Sequence, residues 1–285
     1  MQGLVIAAAA VLAPCVLGVA PPAVSQARWT TAGAVRIRYF EAGSGPPMLL
    51  LHGFGGSATN WFCAMEALGA KHRVIAIDQV GFGASEKPRR AYGGDFLAES
   101  AHAFLRTLGV THAVVAGASM GGDVAARLAA RHPGDVAKLI LVDSSGLDLT
   151  PRKTDFPRDP HTLAEQEQIL RAIFADPAFV TPALVRQRLR AHLRNGDSYT
   201  LTHWTGDDVD LESLLPKIKA PTLVLWGSDD PIWPRATARE YARRIAHAET
   251  AVIENAGHAP YLERPAPFVD AVLRFTARFP APSPP

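Results

Sequence analysis

The sequence has few cysteines and no long run of charge of one sign. Only two of its 285 residues are cysteines, so it is not a small scaffold held together by disulfides. Lys and Arg total 29 against 27 Asp and Glu, without a basic stripe or an acidic block, which argues against nucleic-acid binding. No metal-ligand spacing and no phosphate-binding loop occurs. We therefore predict a protein with no cofactor, no metal and no nucleic-acid partner.

Charge is also absent from most of the N-terminus. Residues 4–20 are almost wholly apolar and uncharged, although no Lys or Arg precedes them. Pro21 and Pro22 follow, and Ser25 and Ala27 supply the small residues of a cleavage site, as in a secretory signal peptide. We expect residues 1–27 to be a signal peptide or a retained N-terminal anchor. The protein would then be exported, either periplasmic or secreted, or be held at a membrane by this segment alone.

The two cysteines fall in different regions of the chain. Cys15 lies within the predicted signal segment, so removal of that segment would leave Cys63 without a partner. Because Cys63 stands beside Trp61 and Phe62, we expect a small buried apolar side chain rather than a reactive thiol.

Short apolar runs alternate with longer amphipathic segments after residue 28. Runs rich in Val, Ile and Leu are typical of strands that are covered on both faces of a parallel sheet. The predicted strands are residues 35–40, 48–51, 74–77, 113–116, 139–142, 222–225 and 250–253. The predicted helices are residues 61–68, 95–108, 121–131, 234–245 and 266–279. This alternation predicts an α/β fold with a mostly parallel sheet flanked by helices.

One region interrupts this alternation. Residues 147–217 contain no convincing strand, but they include helical segments at 163–174 and 182–193. They lie between two predicted core strands, so we expect a helical cap inserted over a pocket. The α/β core would then comprise residues 28–146 and 218–280, and residues 281–285 a disordered tail. Phe174, Phe179 and Trp204 are candidates either for the pocket wall or for the interior of the cap.

The strongest motif is Gly117-Ala118-Ser119-Met120-Gly121, which fits the nucleophile elbow G-x-S-x-G. A serine on a sharp strand-to-helix turn has strained backbone angles, and glycines on either side remove collisions between neighbours. The apolar run 113–116 precedes the motif and a helical pattern follows it. This strand–turn–helix setting indicates that Ser119 is a nucleophile.

A serine hydroxyl needs a base to act as a nucleophile near neutral pH. Among the ten histidines, His258 follows the predicted strand 250–253, on a loop shaped by Gly257 and Pro260. Ser119 leaves its own strand at the same edge of the sheet, where parallel sheets place their active sites. We therefore predict that His258 is the base.

The histidine in turn needs an acid to fix its tautomer. Asp229 and Asp230 follow the predicted strand 222–225. We favour Asp230, because Pro231 and Pro234 after it restrict the backbone, and Asp229 would then be a turn residue. Asp143, which follows the predicted strand 139–142, is a third candidate that could also reach His258.

Glycines also follow the strand at 48–51, in His52-Gly53-Phe54-Gly55-Gly56. Acyl transfer needs backbone N–H groups aimed at the oxygen that becomes negative, and a glycine-rich loop can approach closely. We predict that the amides of Phe54 and Met120 form this oxyanion hole, supported by Gly53. We expect His52 to brace the loop, since His258 already serves as the base.

These pieces, in this order, resemble the α/β-hydrolase superfamily over nearly all of the chain after residue 27. Shorter phrases match as well: 52–55, 78–85, 117–122, 139–144 and 257–260, with Glu263 and Pro265. The resemblance implies a sheet of about eight strands, a helical cap and no cofactor. In relatives the acid is the Asp before the proline, which favours Asp230.

Within the superfamily, haloalkane dehalogenases and epoxide hydrolases carry Asp at the position of Ser119, so neither activity is expected. The resemblance to bacterial esterases and lipases implies a serine hydrolase that cleaves small, hydrophobic carboxylic esters. One alternative is a carbon–carbon bond hydrolase of ring-cleavage products, although such enzymes place Asn at Ala118 and an aromatic residue at Ala259. The others are a cofactor-free perhydrolase or acyltransferase, and a ligand-binding protein on the same fold. Acyl and alcohol specificity and the oligomeric state stay open.

Overall fold

The structure is a computed structural model that describes residues 16–17, 23–147, 156–205 and 210–279. Most of the predicted signal segment, the first residues of the predicted cap and the predicted tail 281–285 lie outside the described residues. Within the described part of the chain, none of the helices combines the length and the apolar character needed to cross a membrane.

Eight strands form one sheet, in the order β1-β2-β4-β3-β5-β6-β7-β8. The first two strands run antiparallel to their neighbours, whereas β3 to β8 are parallel to one another. This architecture confirms the predicted α/β fold with a mostly parallel sheet. The strands are β1 Arg28–Ala32, β2 Val35–Ala42, β3 Pro47–Leu51, β4 Arg73–Ile77, β5 Ala113–Ala118, β6 Val136–Val142, β7 Thr222–Gly227 and β8 Ala248–Ile253.

Helices cover both faces of the sheet and form the cap. Those of the described chain are α1 Phe62–Gly69, α2 Gly94–Thr107, α3 Met120–Arg131, α4 Leu163–Ile173, α5 Pro182–Asn195, α6 Ser198–Thr202, α7 Ala236–Arg244, α8 Pro260–Glu263 and α9 Pro265–Arg278. Short 3-10 turns stand at Ala58–Trp61, Pro177–Phe179, Leu211–Ser213 and Leu215–Lys217.

The sheet separates two hydrophobic layers. Alternate residues of a strand point to opposite faces, so Leu49 and Leu51 pack into the layer of α2, α3 and α7. Met48 and Leu50 pack into the other layer, with α1 and α9. All four side chains are fully buried, each contributing about 1.5–3 kcal/mol relative to exposure. This burial on both faces explains why the central strands read as continuous apolar runs.

The cap consists of α4, α5 and α6, which follow β6 and precede β7. Thr162 closes the start of α4 with a capping box to Glu165, and Gly196 ends α5 in the left-handed conformation. Beyond α6, the Tyr92 amide donates to the His203 carbonyl at 2.9 Å, and the Thr205 amide donates back to Tyr92 at 3.1 Å. This short ladder fixes one side of the cap to the core.

One prediction about cysteine is wrong. Cys63, at the start of α1, is only partly buried, and it is disulfide-bonded rather than a free thiol. The prediction assumed that residues 1–27 had been removed, whereas the full chain keeps its second cysteine.

Candidate active site

Ser119 lies at the sharp turn from β5 into α3. Its backbone angles, φ +52° and ψ −119°, fall in a region that residues with a side chain rarely adopt. A Cβ at Gly117 would stand 1.9 Å from the Gly121 carbonyl oxygen, and a Cβ at Gly121 would stand 2.2 Å from the Leu51 oxygen. The turn therefore requires glycine on both sides of Ser119, as the motif predicted.

His258 and Asp230 meet at the same edge of the sheet. The Nδ1 atom of His258 lies 2.9 Å from Oδ2 of Asp230, and both residues are buried. The other oxygen of Asp230 accepts the amides of Ile232 at 2.7 Å and Trp233 at 3.2 Å. Burial alone would raise the pKa of Asp230, but the neighbouring His258 and the two amides outweigh it and lower the pKa.

Neither of the two other acid candidates forms a hydrogen bond to His258 in the described part of the chain. Asp229 is exposed, and its carboxylate accepts the Ser228 hydroxyl at 2.8 Å. Asp143, at the end of β6, is fully buried and accepts the Gly227 amide at 2.9 Å. Of the three, the structure places Asp230 on the imidazole.

Ser119 and His258 line one cavity. Within the described part of the chain the Ser119 hydroxyl forms no hydrogen bond, and so none to the His258 imidazole. Catalytic hydrogen bonds of this kind are often long without a ligand and tighten when substrate binds.

The loop after β3 stands against Ser119. A Cβ added at Gly53 would lie 3.2 Å from the Ser119 Cβ, so only glycine allows this approach without displacement. Among the described residues, neither the Phe54 amide nor the Met120 amide has a hydrogen-bond acceptor. Both residues line the same cavity as Ser119, where an unpaired N–H group can donate to a negative oxygen.

His52 is held away from this chemistry. Its Nε2 accepts the Gln79 amide at 3.0 Å, so its Nδ1 must carry the proton donated to the Gly53 carbonyl at 2.8 Å. Burial lowers the pKa of His52, which favours this neutral form. The ring thus braces the glycine loop, as the sequence predicted.

The cavity beneath the cap has a volume of about 720 Å³. Phe174 and Trp204 contribute to its wall, whereas Phe179 is absent from the lining and packs on the Phe174 ring with centroids 5.5 Å apart. The apolar part of the lining includes Phe54, Ile169, Leu170, Ile173, Leu201, Ile232, Trp233 and Leu262.

Arg188 is one of several charged residues of the lining that the sequence did not predict. Arg188 of α5 is partly buried, and its Nη1 donates to Oδ1 of Asn60 at 2.6 Å. Burial lowers the pKa of Arg188, and no carboxylate of the described residues forms an ion pair with it. Several arginines follow one another along α5, so the sequence carried no signal that would have singled this one out.

The cap is joined to the histidine loop. The His258 amide donates to the Ile173 carbonyl of the cap at 2.8 Å. Glu263, buried in α8, accepts the Gly257 amide on one oxygen and the Ala175 amide on the other, each at 2.9 Å. The loop that presents the imidazole is therefore fastened to the cap at two points.

Two groups of side chains in the described chain are close enough to share a metal ion. One is Asp143, Asp230 and His258, whose hydrogen bonds are given above. The other is His102, His132 and Asp135, at the far end of α3. In the second group His102 is hydrogen-bonded to Asp135 at 2.5 Å, and His132 to Glu99 at 3.0 Å.

Comparison with known proteins gives consistent similarities. The sequence model of a family described as alpha/beta hydrolase fold matches residues 46–198 and 178–265. The 2-hydroxy-6-oxo-6-(2'-aminophenyl)hexa-2,4-dienoic acid hydrolase of Metapseudomonas resinovorans is 31% identical over 268 residues, covering 88% of this chain and 91% of that protein. Lipase 1 of Psychrobacter immobilis is 29% identical over 249 residues, covering 82% and 78%. The crystal structure of a bacterial membrane phospholipase A has a TM-score of 0.79 at 29% identity, covering 95% and 92%.

Proposed function

Because the chain belongs to the alpha/beta hydrolase fold family, we propose that it is a serine hydrolase that cleaves carboxylic esters through an acyl-enzyme. The observation that carries this proposal is the buried 2.9 Å hydrogen bond between His258 and Asp230, on the wall of the cavity that also exposes Ser119. A hydroxyl, an imidazole and a carboxylate at one edge of a parallel sheet form the arrangement of a serine nucleophile.

The reaction has two halves. The Ser119 oxygen attacks the ester carbonyl while Nε2 of His258 takes the hydroxyl proton. The carbonyl oxygen becomes negative against the amides of Phe54 and Met120, each such donor being worth roughly 3 kcal/mol in studied enzymes. The C–O bond then breaks and the alcohol leaves with the proton from His258. Water repeats the sequence on the acyl-enzyme, releasing the acid and restoring the Ser119 hydroxyl.

The shape and lining of the cavity support a hydrophobic ester as the substrate. Aromatic and aliphatic side chains from the core and the cap form much of the wall. An apolar acyl or alcohol group gains about 25 cal/mol for each Å² that it buries there. The lipase and the phospholipase among the similar proteins agree with this substrate class.

A second candidate, a carbon–carbon bond hydrolase acting on a dienoic acid, is favoured by Arg188. Arg188 lines the cavity with no carboxylate partner among the described residues, so its guanidinium can pair with a carboxylate of the substrate. The similar protein from Metapseudomonas resinovorans is named for a dienoic acid substrate. Ala118 and Ala259 count against this activity, because such hydrolases usually carry Asn and an aromatic residue there.

One assay panel separates the two candidates. p-Nitrophenyl esters from acetate to palmitate are compared with a 2-hydroxy-6-oxo-hexa-2,4-dienoic acid, using the wild type and Ser119→Ala. We expect sustained ester turnover that falls by several orders of magnitude in Ser119→Ala, with an unchanged melting temperature. Near-normal ester rates in that variant contradict the proposal, and a single burst without turnover indicates a binding protein.

Arg188 is tested on the dienoic acid itself. If that acid is the substrate, Arg188→Met raises its KM at least about tenfold, the loss of one charge-assisted contact. Arg186→Met is the matched control, since Arg186 lies on the same helix and is exposed. Turnover of the acid without turnover of esters would select the second candidate.

A further inference from the structure

Two carboxyl groups lie side by side behind His258. Asp143 follows β6 and Asp230 follows β7, and these strands are parallel neighbours in the sheet. Single side-chain atoms of Asp143, Asp230 and His258 lie within 4.8 Å of one another. Both residues are buried, so bulk solvent does not screen their charges from one another. Two negative charges at this distance away from water repel strongly, which favours a shared proton.

The hydrogen-bond donors around the pair are unequally divided. Asp230 accepts three, from His258 and from the amides of Ile232 and Trp233. Asp143 accepts only the Gly227 amide on Oδ1, and its buried Oδ2 has no hydrogen-bond partner in the described chain. A buried carboxylate oxygen without a hydrogen-bond donor lowers the stability of the folded protein. A protonated oxygen beside a carboxylate avoids this cost, because it can donate a hydrogen bond to that carboxylate.

The surrounding charges also favour placing the shared proton on Asp143. His258 faces Asp230 and stabilises a negative charge there, whereas Glu263 adds negative potential at Asp143, with Tyr261 also nearby. Burial first, and then the negative charge of Asp230, raise the pKa of Asp143 well above its ordinary value. The Asp143 backbone is held at φ +43°, a conformation that fixes where the side chain starts.

We propose that Asp143 is a protonated positioning residue that donates its hydroxyl hydrogen to Asp230 and so fixes the carboxylate that orients His258. This inference rests on the proposed serine hydrolase function. In the proposed pair, Asp230 carries the negative charge and Asp143 is neutral. Asp143 acts through Asp230 without touching the substrate. Asn can replace a neutral acid that donates, because its amide is also neutral and donates; it cannot replace an ionised acid.

The test compares Asp143→Asn with Asp143→Ala on the best p-nitrophenyl ester. We expect the Ala variant to lose kcat by about 10- to 100-fold, the worth of one hydrogen bond to a charged group. The Asn variant should recover most of that loss. We also expect the acid limb of kcat/KM to move to higher pH in the Ala variant, because Asp230 with one donor fewer holds a protonated imidazole more tightly. In the Asn variant, the acid limb of kcat/KM should lie at the same pH as in the wild type.

The controls separate this inference from the proposed function. Ser119→Ala tests the function itself, and Asp229→Asn, an exposed acid beside the site, controls for loss of a nearby negative charge. Melting temperatures identify a variant that fails to fold, in which case Asp143→Ser replaces Asp143→Ala. If Asp143→Asn is crippled as severely as Asp230→Asn while ester turnover still needs Ser119, Asp143 carries a charge and the proposal is wrong. An unshifted acid limb in every Asp143 variant would also overturn it.

Discussion

Replacing Asp230 by Asn tests the proposed role of this carboxylate in orienting His258, with the smallest change in shape. The remaining oxygen can still accept the amides of Ile232 and Trp233, so the loop after β7 should keep its conformation. The new NH2 group, however, stands where Oδ2 now lies 2.9 Å from the His258 Nδ1. Two donors cannot face each other, so the imidazole must place its proton on Nε2.

That tautomer cannot accept the Ser119 proton, which sets the magnitude of the effect. The same exchange in a serine protease lowers kcat about 10⁴-fold, and we expect a similar loss here. A factor of 10⁴ corresponds to about 5 kcal/mol in the activation free energy. The free energy of unfolding should change much less, since no backbone hydrogen bond is lost.

The assay measures kcat on one short-chain p-nitrophenyl ester near pH 8, together with the melting temperature. Asp229→Asn is the matched control, because this neighbouring side chain is exposed and, among the described residues, bonds only the Ser228 hydroxyl. We expect the control to stay within about twofold of the wild type, as for most surface substitutions. If Asp229→Asn is the crippled variant, or if Asp230→Asn keeps more than about a tenth of kcat, the proposed role of Asp230 in orienting His258 is refuted.

Three further predictions concern residues around the site. Gly117→Ala should lower the free energy of unfolding by about 3 kcal/mol, measured by urea titration, because its Cβ would stand 1.9 Å from the Gly121 oxygen. Glu263→Gln should reduce kcat about tenfold, measured on the same ester, because one of its two amide partners would then face an NH2 group. Burial raises the pKa of Asp197 to about 7, so the folded protein holds this proton more tightly than the unfolded chain. Wild-type stability should therefore fall by up to about 4 kcal/mol between pH 4 and pH 7, relative to Asp197→Asn, and level off above.

Each of these has a result that would contradict it. If Gly117→Ala leaves the free energy of unfolding unchanged, the turn at Ser119 accommodates the added Cβ without cost. A Glu263→Gln variant with wild-type kcat would show that the histidine loop does not depend on that carboxyl group. Parallel stability curves for the wild type and Asp197→Asn from pH 4 to pH 8 would show that Asp197 is not protonated on folding.

The sequence predicted the features that depend on local rules. Buried strands appear in the sequence as apolar runs, and the elbow at Ser119 requires glycines at fixed positions on either side of the serine. The edge strand β1 was missed, because four of its five residues are partly or fully exposed and lack an apolar run. The helix α6 was missed because five residues are too short for a periodic pattern.

Features that depend on distant contacts could not be predicted in the same way. The sequence favoured Asp230 over Asp229 from flanking prolines, but only the fold shows which carboxylate meets the imidazole. It likewise gave no reason to single out Arg188, whose partner Asn60 lies 128 positions earlier. The sequence offers Asp143 as an alternative acid, because it follows a predicted strand. That its Oδ2 lies near Asp230 with no hydrogen-bond partner in the described chain is visible only in the structure.

The hydrogen bond from the His258 amide to the Ile173 carbonyl couples the loop of the proposed base to the cap over the cavity. An oversized substrate that pushes the cap outward also pulls on the loop that carries the imidazole. Such a molecule can still be held by the apolar wall, yet its proton transfer is misaligned. We therefore expect this chain to sort substrates by size through the rate of turnover rather than through the strength of binding.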